Sequence, residues 1–209
     1  MTTPRDLLIV VMDAEPGRSV DRGSLSLALA GAEVVDLLGV RAVELDGDRI
    51  VPGDEPSPDD PLLREAASAL IRQEPYESVE DWLWRRGRDL SSAYLAVFET
   101  EGQLTRQRRR RLISFQAGDV ALVDSLARRG AVDRWAAREP VLVALATATG
   151  AYGEPLDEDS KDAPDAPDIA DDAVATVLAA VNDAVMELEA VRQRRAIEDA
   201  AFDNIWRGF

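Results

Sequence analysis

The feature that most limits the fold is one long apolar stripe near the end of the chain. Between Val174 and Val191, aliphatic residues recur at three- and four-residue steps, the spacing that gathers side chains on one face of an α-helix. The stripe predicts a helix of roughly 25 residues with one face covered by other helices. Residues 22–39 repeat this spacing, so they predict a second core-facing helix, with Glu33 and Asp36 on its outer side.

Shorter helical patterns fill most of the remaining chain, to make about nine helices in all. The predicted helices cover residues 6–13, 57–73, 89–101, 120–129 and 140–149, and a further helix starts at Ser78. Thr3 is the predicted N-cap of the first of them. The helix at 140–149 is apolar on nearly every side, so we expect it in the middle of the core. Asp46, Gly47 and Asp48 sit between alternating apolar and polar residues, which is typical of a tight β-hairpin.

The length of the chain fits one domain. A chain of 209 residues can bury most of its apolar surface in a single core. We therefore expect a mainly α fold: one globular multi-helix domain over residues 1–209, with one or two short β-hairpins. Residues 153–172 are rich in aspartate and proline and poor in large apolar side chains, which predicts an acidic mobile loop within that domain.

The absence of two residue types narrows the chemistry. The chain has no cysteine and no histidine, which excludes disulfides, thiolate nucleophiles, Ser-His-Asp triads and imidazole acid–base catalysis. The carboxylates follow no pattern that predicts a pocket or a calcium loop. We expect a protein that is not an enzyme, with no catalytic residues, no metal site and no cofactor.

Charge is distributed unevenly along the chain. The formal net charge is −16, but residues 71–140 hold 13 arginines and 11 acidic residues, so the rest of the chain carries −18. This asymmetry predicts one basic side on an acidic body. The chain uses many arginines and a single lysine, Lys161, a bias typical of bacteria with GC-rich genomes.

The basic residues are densest in "TRQRRRRLISF", residues 105–115, which we term the basic tip. Apolar side chains ringed by arginines are a recognised means of docking on an anionic membrane. The alternative interpretation is an arginine-rich strand that lies over the acidic body of the same molecule, held by ion pairs of little individual strength. The residues that would form the membrane or oligomer contact are Arg106, Arg108, Arg109, Arg110, Arg111, Leu112, Ile113 and Phe115.

Four motifs in this order resemble the Golgi phosphoprotein 3 family. They are "DLLIVVMDAEPGR" near the start, "LALAGAEVVDLLGVRAVELDGDRIV" at 27–51, "DDPLLREAASALI" with "SVEDWLWRRG" within 59–87, and "GQLTRQRRRRLISF" at 102–115. The resemblance extends more weakly to the C-terminal helix. It implies a mostly helical domain that binds membranes peripherally, recognises phosphatidylinositol 4-phosphate and engages cytosolic tails of membrane-embedded glycosyltransferases. It also implies that residues 104 to about 121 form a projecting hairpin.

The resemblance also indicates where a lipid head group would bind. The family's site uses a tryptophan and three arginines, which align with Asp21, Ala30, Arg88 and Ser91 of this chain. Only Arg88 is retained, so general attraction to anionic lipid is expected rather than recognition of that one head group. Neighbouring arginines could rebuild an anion pocket, and the predicted head-group residues are Arg88, Arg18, Arg22 and Arg85.

Two functions follow from these observations. The first is a peripheral membrane adaptor in the cytoplasm, held on the inner face of the cell membrane, whose partners are an anionic surface or phosphoinositide and cytosolic parts of membrane enzymes. The alternative is a soluble protein-interaction module, in which the basic tip mediates homo-oligomerisation or docks on an acidic partner. Nucleic-acid binding is disfavoured, because a body with a pI near 4.4 repels phosphate.

Overall fold

The computed structural model describes residues 2–14, 20–53, 58–106, 120–152 and 171–207, with the backbone alone at 106, 120 and 200–207. Within these ranges the chain forms eight helices and two short antiparallel strand pairs in one compact domain. The mainly α fold class is confirmed. The helices are α1 (Thr3–Asp13), α2 (Arg22–Gly39), α3 (Pro61–Ser68), α4 (Val79–Arg86), α5 (Leu90–Thr100), α6 (Leu126–Ala136), α7 (Pro140–Ala148) and α8 (Asp172–Arg207).

Helix α2 is the centre of the domain. It contacts α1, α3, α4, α5, α7 and α8, and its side chains from Ser24 to Val34 are all buried. Helices α2 and α8 are in close contact at Gly31, where an added Cβ would overlap the Cγ2 atom of Val181 on α8. The absence of a side chain at Gly31 therefore lets α8 pack directly against the backbone of α2.

This arrangement corrects two sequence-based expectations. Glu33 was expected on the outer side of α2, yet it is fully buried. Helix α7 was expected in the middle of the core, but only Leu142, Leu145 and Ala146 are buried on it. Apolar residues all round a helix do not require a central position, because much of a folded protein's surface is apolar.

Helix α8 is longer than its apolar stripe. The stripe is confirmed, since Val177, Val181 and Val185 are buried against the rest of the domain. The helix then continues to Arg207, well past the predicted end, and every residue from 193 to 199 is exposed. The sequence pattern therefore located the packed half of α8 and not its extension.

Both β-hairpins are present. Strands β1 (Val43–Asp46) and β2 (Arg49–Pro52) are joined by the predicted turn, with Gly47 at a φ of +62° that glycine adopts without strain. Strands β3 (Leu104–Arg106) and β4 (Val120–Leu122) pair Leu104 with Leu122 and Arg106 with Val120. The helix predicted at 120–129 is wrong in its first part, because 120–122 is a strand and Ser125 caps α6.

The start of α1 also differs from the expectation. Thr2, not Thr3, is the N-cap residue, and its hydroxyl makes no capping hydrogen bond. The Thr3 amide instead donates to Asp36 of α2 at 2.8 Å. Asp6 lies in the first turn of α1, where it is fully buried and accepts a hydrogen bond from Arg134 of α6. Tertiary contacts therefore take over the role that local capping would play.

The acidic loop predicted at 153–172 ends earlier than expected. Residues 153–170 lie outside the described part of the chain. Asp171 accepts a hydrogen bond from the Ala173 amide at 2.9 Å, and Asp172 is the first residue of α8. The last two residues of the predicted loop therefore begin the long helix.

Candidate anion-binding site

A cleft of about 240 Å³ lies where α2, α4, α5 and α8 meet. Its wall includes Arg22 from the first turn of α2 and Arg88 from the turn between α4 and α5. Leu188 of α8 contributes to the apolar part of the wall. Clefts that hold drug-sized ligands are usually larger, so this one suits a small head group.

The two arginines of the cleft lie close together and are not paired with carboxylates in the described part of the chain. Within the described residues, neither Arg22 nor Arg88 makes a salt bridge, and both are exposed. Eight other described arginines are engaged by carboxylates, which is expected in a chain of net charge −16, and six, among them Arg72 and Arg194, are not. Those with salt bridges are Arg5, Arg49, Arg85, Arg86, Arg128, Arg129, Arg134 and Arg192. The cleft therefore presents two guanidinium groups without a salt bridge, which match the geometry of phosphate oxygens, beside Asp89, which also lines it.

Small polar residues hold the floor of the cleft together. The Ser91 amide and hydroxyl of α5 lie 3.0 and 2.9 Å from the Ser26 hydroxyl of α2. The Ser91 hydroxyl also donates to the Arg22 carbonyl at 3.3 Å. These bonds tie the first turn of α2 to α5, so the backbone that carries Arg22 has a fixed position relative to Arg88.

A buried ionic network fixes α4 against α2 and α5. Arg86 donates two hydrogen bonds to Glu33, at 2.8 and 3.0 Å, and one to Glu65 at 2.6 Å. Tyr94 of α5 donates to Glu33 at 3.1 Å. Burial raises the pKa of Glu33 above its usual value, although the hydrogen bonds from Arg86 and Tyr94 lower it. The network joins α2, α4 and α5, three of the four helices that form the walls of the cleft.

Trp84 is a cleft residue that the sequence did not reveal. Trp82, two positions earlier on the same helix, is fully buried and donates to the Ala30 carbonyl at 3.2 Å. Trp84 is half-buried and lines the cleft beside Arg88. Its place after a buried tryptophan in α4 was the only signal, since alternate residues of a helix face different sides.

Of the other two predicted head-group arginines, only Arg85 lies in the described part of the chain, and it is not among the residues that line the cleft. Arg85 donates two hydrogen bonds of 2.6 Å to Glu77 and lies over the Trp82 ring at 5.1 Å. These contacts assign it to the packing of α4. Arg18 lies outside the described residues. Of the four predicted residues, the structure therefore brings Arg22 and Arg88 together.

The basic tip is described only at its base. The pairing of β3 with β4 forms the stem of a hairpin, as the resemblance implied. Arg106 lies on β3, whereas Arg108, Arg109, Arg110, Arg111, Leu112, Ile113 and Phe115 lie outside the described residues. The stem follows the C-terminal end of α5, whereas the cleft lies at the N-terminal end of α5. The 11 residues of α5 span about 16 Å. The cleft and the tip can therefore be altered independently.

Comparison with models of protein families shows which family the chain belongs to. The model for Golgi phosphoprotein 3 matches residues 4–188, which is most of the chain. The chain belongs to the Golgi phosphoprotein 3 family. No curated protein matches the sequence.

The four positions at which the resemblance placed the family's head-group residues have different surroundings in the fold. In this Golgi phosphoprotein 3 family member, Ala30 and Ser91 are buried where α2 packs against α4 and α5, so neither position faces the cleft with a long side chain. Asp21 caps α2 and pairs with Arg192. Arg88 alone presents an arginine, so Arg22 supplies the second guanidinium from a different position.

Two further properties bear on function. No helix in the described ranges has the length and apolar character needed to cross a membrane. Among the same residues, no cluster of three or more acidic side chains is placed to hold a metal ion.

Proposed function

We propose that this Golgi phosphoprotein 3 family member is a peripheral membrane protein of adaptor type that binds anionic lipid through the cleft of Arg22 and Arg88, without catalysing a reaction. The observation that carries the proposal is the pair of unneutralised arginines in one cleft of an otherwise acidic chain. Each arginine close to an anionic leaflet contributes about 1 kcal/mol of attraction. The arginines of the basic tip supply further attraction.

The composition of the cleft argues for anionic lipid in general. Asp21, Ala30 and Ser91 occupy three of the four positions at which the family places its head-group residues, so the ligands for one phosphoinositide are incomplete. Arg22 and Arg88 supply charge at the surface, where any phosphate-bearing head group can reach them. We therefore expect selectivity for charge density and not for phosphatidylinositol 4-phosphate.

Vesicle sedimentation tests the proposal. The wild-type protein is mixed with vesicles of phosphatidylcholine alone, of phosphatidylcholine with phosphatidylglycerol, and of phosphatidylcholine with phosphatidylinositol 4-phosphate at matched surface charge. We expect binding to both anionic compositions, weakened by added salt because the attraction is screened, and none to phosphatidylcholine alone. Absence of binding to every anionic vesicle would contradict the proposal and leave the soluble interaction module as the function.

A further inference from the structure

A third arginine lies at the edge of the cleft and is held away from it. The Nη2 atom of Arg192 on α8 lies 2.5 Å from the Oδ2 atom of Asp21, and both side chains are about two-fifths exposed. A Cβ atom added at Gly23, which lines the cleft, would lie 2.8 Å from the same nitrogen. The Arg192 guanidinium therefore rests on the start of α2, against Asp21 and Gly23.

Asp21 has two roles in this arrangement. Its carboxylate accepts from the Ser24 amide at 2.7 Å, which caps α2, and it pairs with Arg192. Partial burial raises the pKa of Asp21, but the hydrogen bonds from Ser24 and Arg192 outweigh this effect and lower it below the usual value. Asp21 therefore keeps its negative charge at neutral pH, beside the cations of the cleft.

A bound anion would change the balance between these groups. It would be repelled by the Asp21 carboxylate, which stands one residue from Arg22, and it would offer Arg192 a second negative partner. Leu188 packs against the core one turn earlier, so α8 is fixed while the Arg192 side chain is long enough to turn. The exchange needs a change of side-chain rotamer and no movement of a helix.

We propose that Asp21 competes with the ligand for Arg192, so that the Asp21–Arg192 ion pair sets the affinity of the cleft for a phosphate group. This inference rests on the proposed function, because it requires that the Arg22 and Arg88 cleft binds anions. It adds Arg192 of α8 to the site and assigns to Asp21 a role in specificity. A weakly charged ligand does not displace Asp21 from Arg192, whereas a phosphomonoester does. The shared ligand chemistry is a phosphate group, from a lipid head group or from free phosphate.

A double-mutant cycle tests the competition. The variants are Asp21→Asn, Arg192→Gln and the two together, and asparagine is also a good N-cap residue, so α2 stays capped. The matched controls are Asp183→Asn and Arg194→Gln, which make the same charge changes at exposed positions of α8. Binding is measured by sedimentation with vesicles that contain phosphatidic acid, and by calorimetric titration with inorganic phosphate.

We expect Asp21→Asn to tighten binding about tenfold when Arg192 is present and at most about threefold when residue 192 is glutamine. Both controls should stay within about twofold of wild type, since exposed charges far from the ligand are screened. A gain with vesicles alone identifies a head group in the bilayer as the source of the phosphate. A gain that extends to inorganic phosphate identifies free phosphate as a ligand.

The experiment distinguishes failure of the competition at Arg192 from failure of the proposed lipid-binding function. If wild type binds vesicles but Asp21→Asn gains equally with and without Arg192, or no more than Asp183→Asn, the competition is refuted and the lipid-binding function stands. If neither wild type nor Asp21→Asn binds vesicles or phosphate, both proposals are wrong. Thermal unfolding followed by circular dichroism checks that each variant is folded.

Discussion

The variant Arg86→Met is expected to lower the free energy of unfolding by about 3–5 kcal/mol, because it leaves the buried Glu33 carboxylate without its cationic partner. Glu33 is fully buried and the Arg86 side chain is only 10% exposed, so water cannot replace the lost hydrogen bonds. Tyr94 remains as one donor. Equilibrium unfolding in urea measures the loss.

The loss should depend on pH. Burial already raises the pKa of Glu33 in the folded protein, and removal of Arg86 raises it further. A carboxyl with a raised folded-state pKa contributes stability that is complete below its unfolded pKa and is lost as pH rises through the folded value. The deficit of Arg86→Met against wild type should therefore be largest at neutral pH and shrink on acidification towards the usual glutamate range.

Two controls separate the network from loss of charge in general. Glu33→Gln with Arg86→Met removes both charges, so it should recover much of the stability. Arg129→Met breaks an ion pair in which both side chains are exposed, and it should have little effect. If Arg86→Met unfolds with the same free energy as Arg129→Met, the network does not hold the three helices together.

Arg22→Gln combined with Arg88→Gln is expected to weaken binding to anionic vesicles about 30-fold, which corresponds to about 1 kcal/mol for each arginine. Both side chains are exposed and make no salt bridge within the described residues, so their replacement should leave stability nearly unchanged. The affinity is measured by sedimentation over a range of lipid concentrations at one fixed salt concentration.

The matched control is Arg72→Gln with Arg194→Gln. It lowers the net charge by the same amount at exposed arginines outside the cleft. This variant should lose only a few-fold in affinity, because screening weakens the effect of charges that do not touch the lipid. Equal losses in the two double variants would mean that net charge controls binding and that the cleft has no special role.

Much of the fold could be predicted because its signals are local. The stripe on α8, the cap at Ser78 and the turn at Gly47 each depend on residues within a few positions of one another. The position of α2 at the centre was not predictable in this way. Glu33 made α2 look amphipathic, and its partner Arg86 lies 53 positions further along the chain.

The candidate site was likewise predictable only in part. The resemblance selected Arg88, and Arg22 was selected as an arginine near another of the family's head-group positions. The packing of α2 against α5 brings the two into the same cleft. It also selected Arg85, which the fold uses to pair with Glu77. Trp84 and Arg192 were not selected, because their positions at the cleft depend on the crossing of α4 and α8 with α2. No local pattern encodes such a crossing.

Quenching of Trp84 fluorescence by brominated lipid tests most directly whether the cleft faces the bilayer. Trp84 lines the cleft and Trp82 is fully buried. Trp82, Trp135 and Trp206 are common to wild type and Trp84→Phe, so the difference between the two proteins reports on Trp84. With anionic vesicles containing phosphatidylcholine brominated at the shallow end of its acyl chains, we expect wild-type emission to fall and Trp84→Phe to lose that decrease. Equal quenching in wild type and Trp84→Phe would show that another face of the protein meets the membrane, which would contradict lipid binding at Arg22 and Arg88.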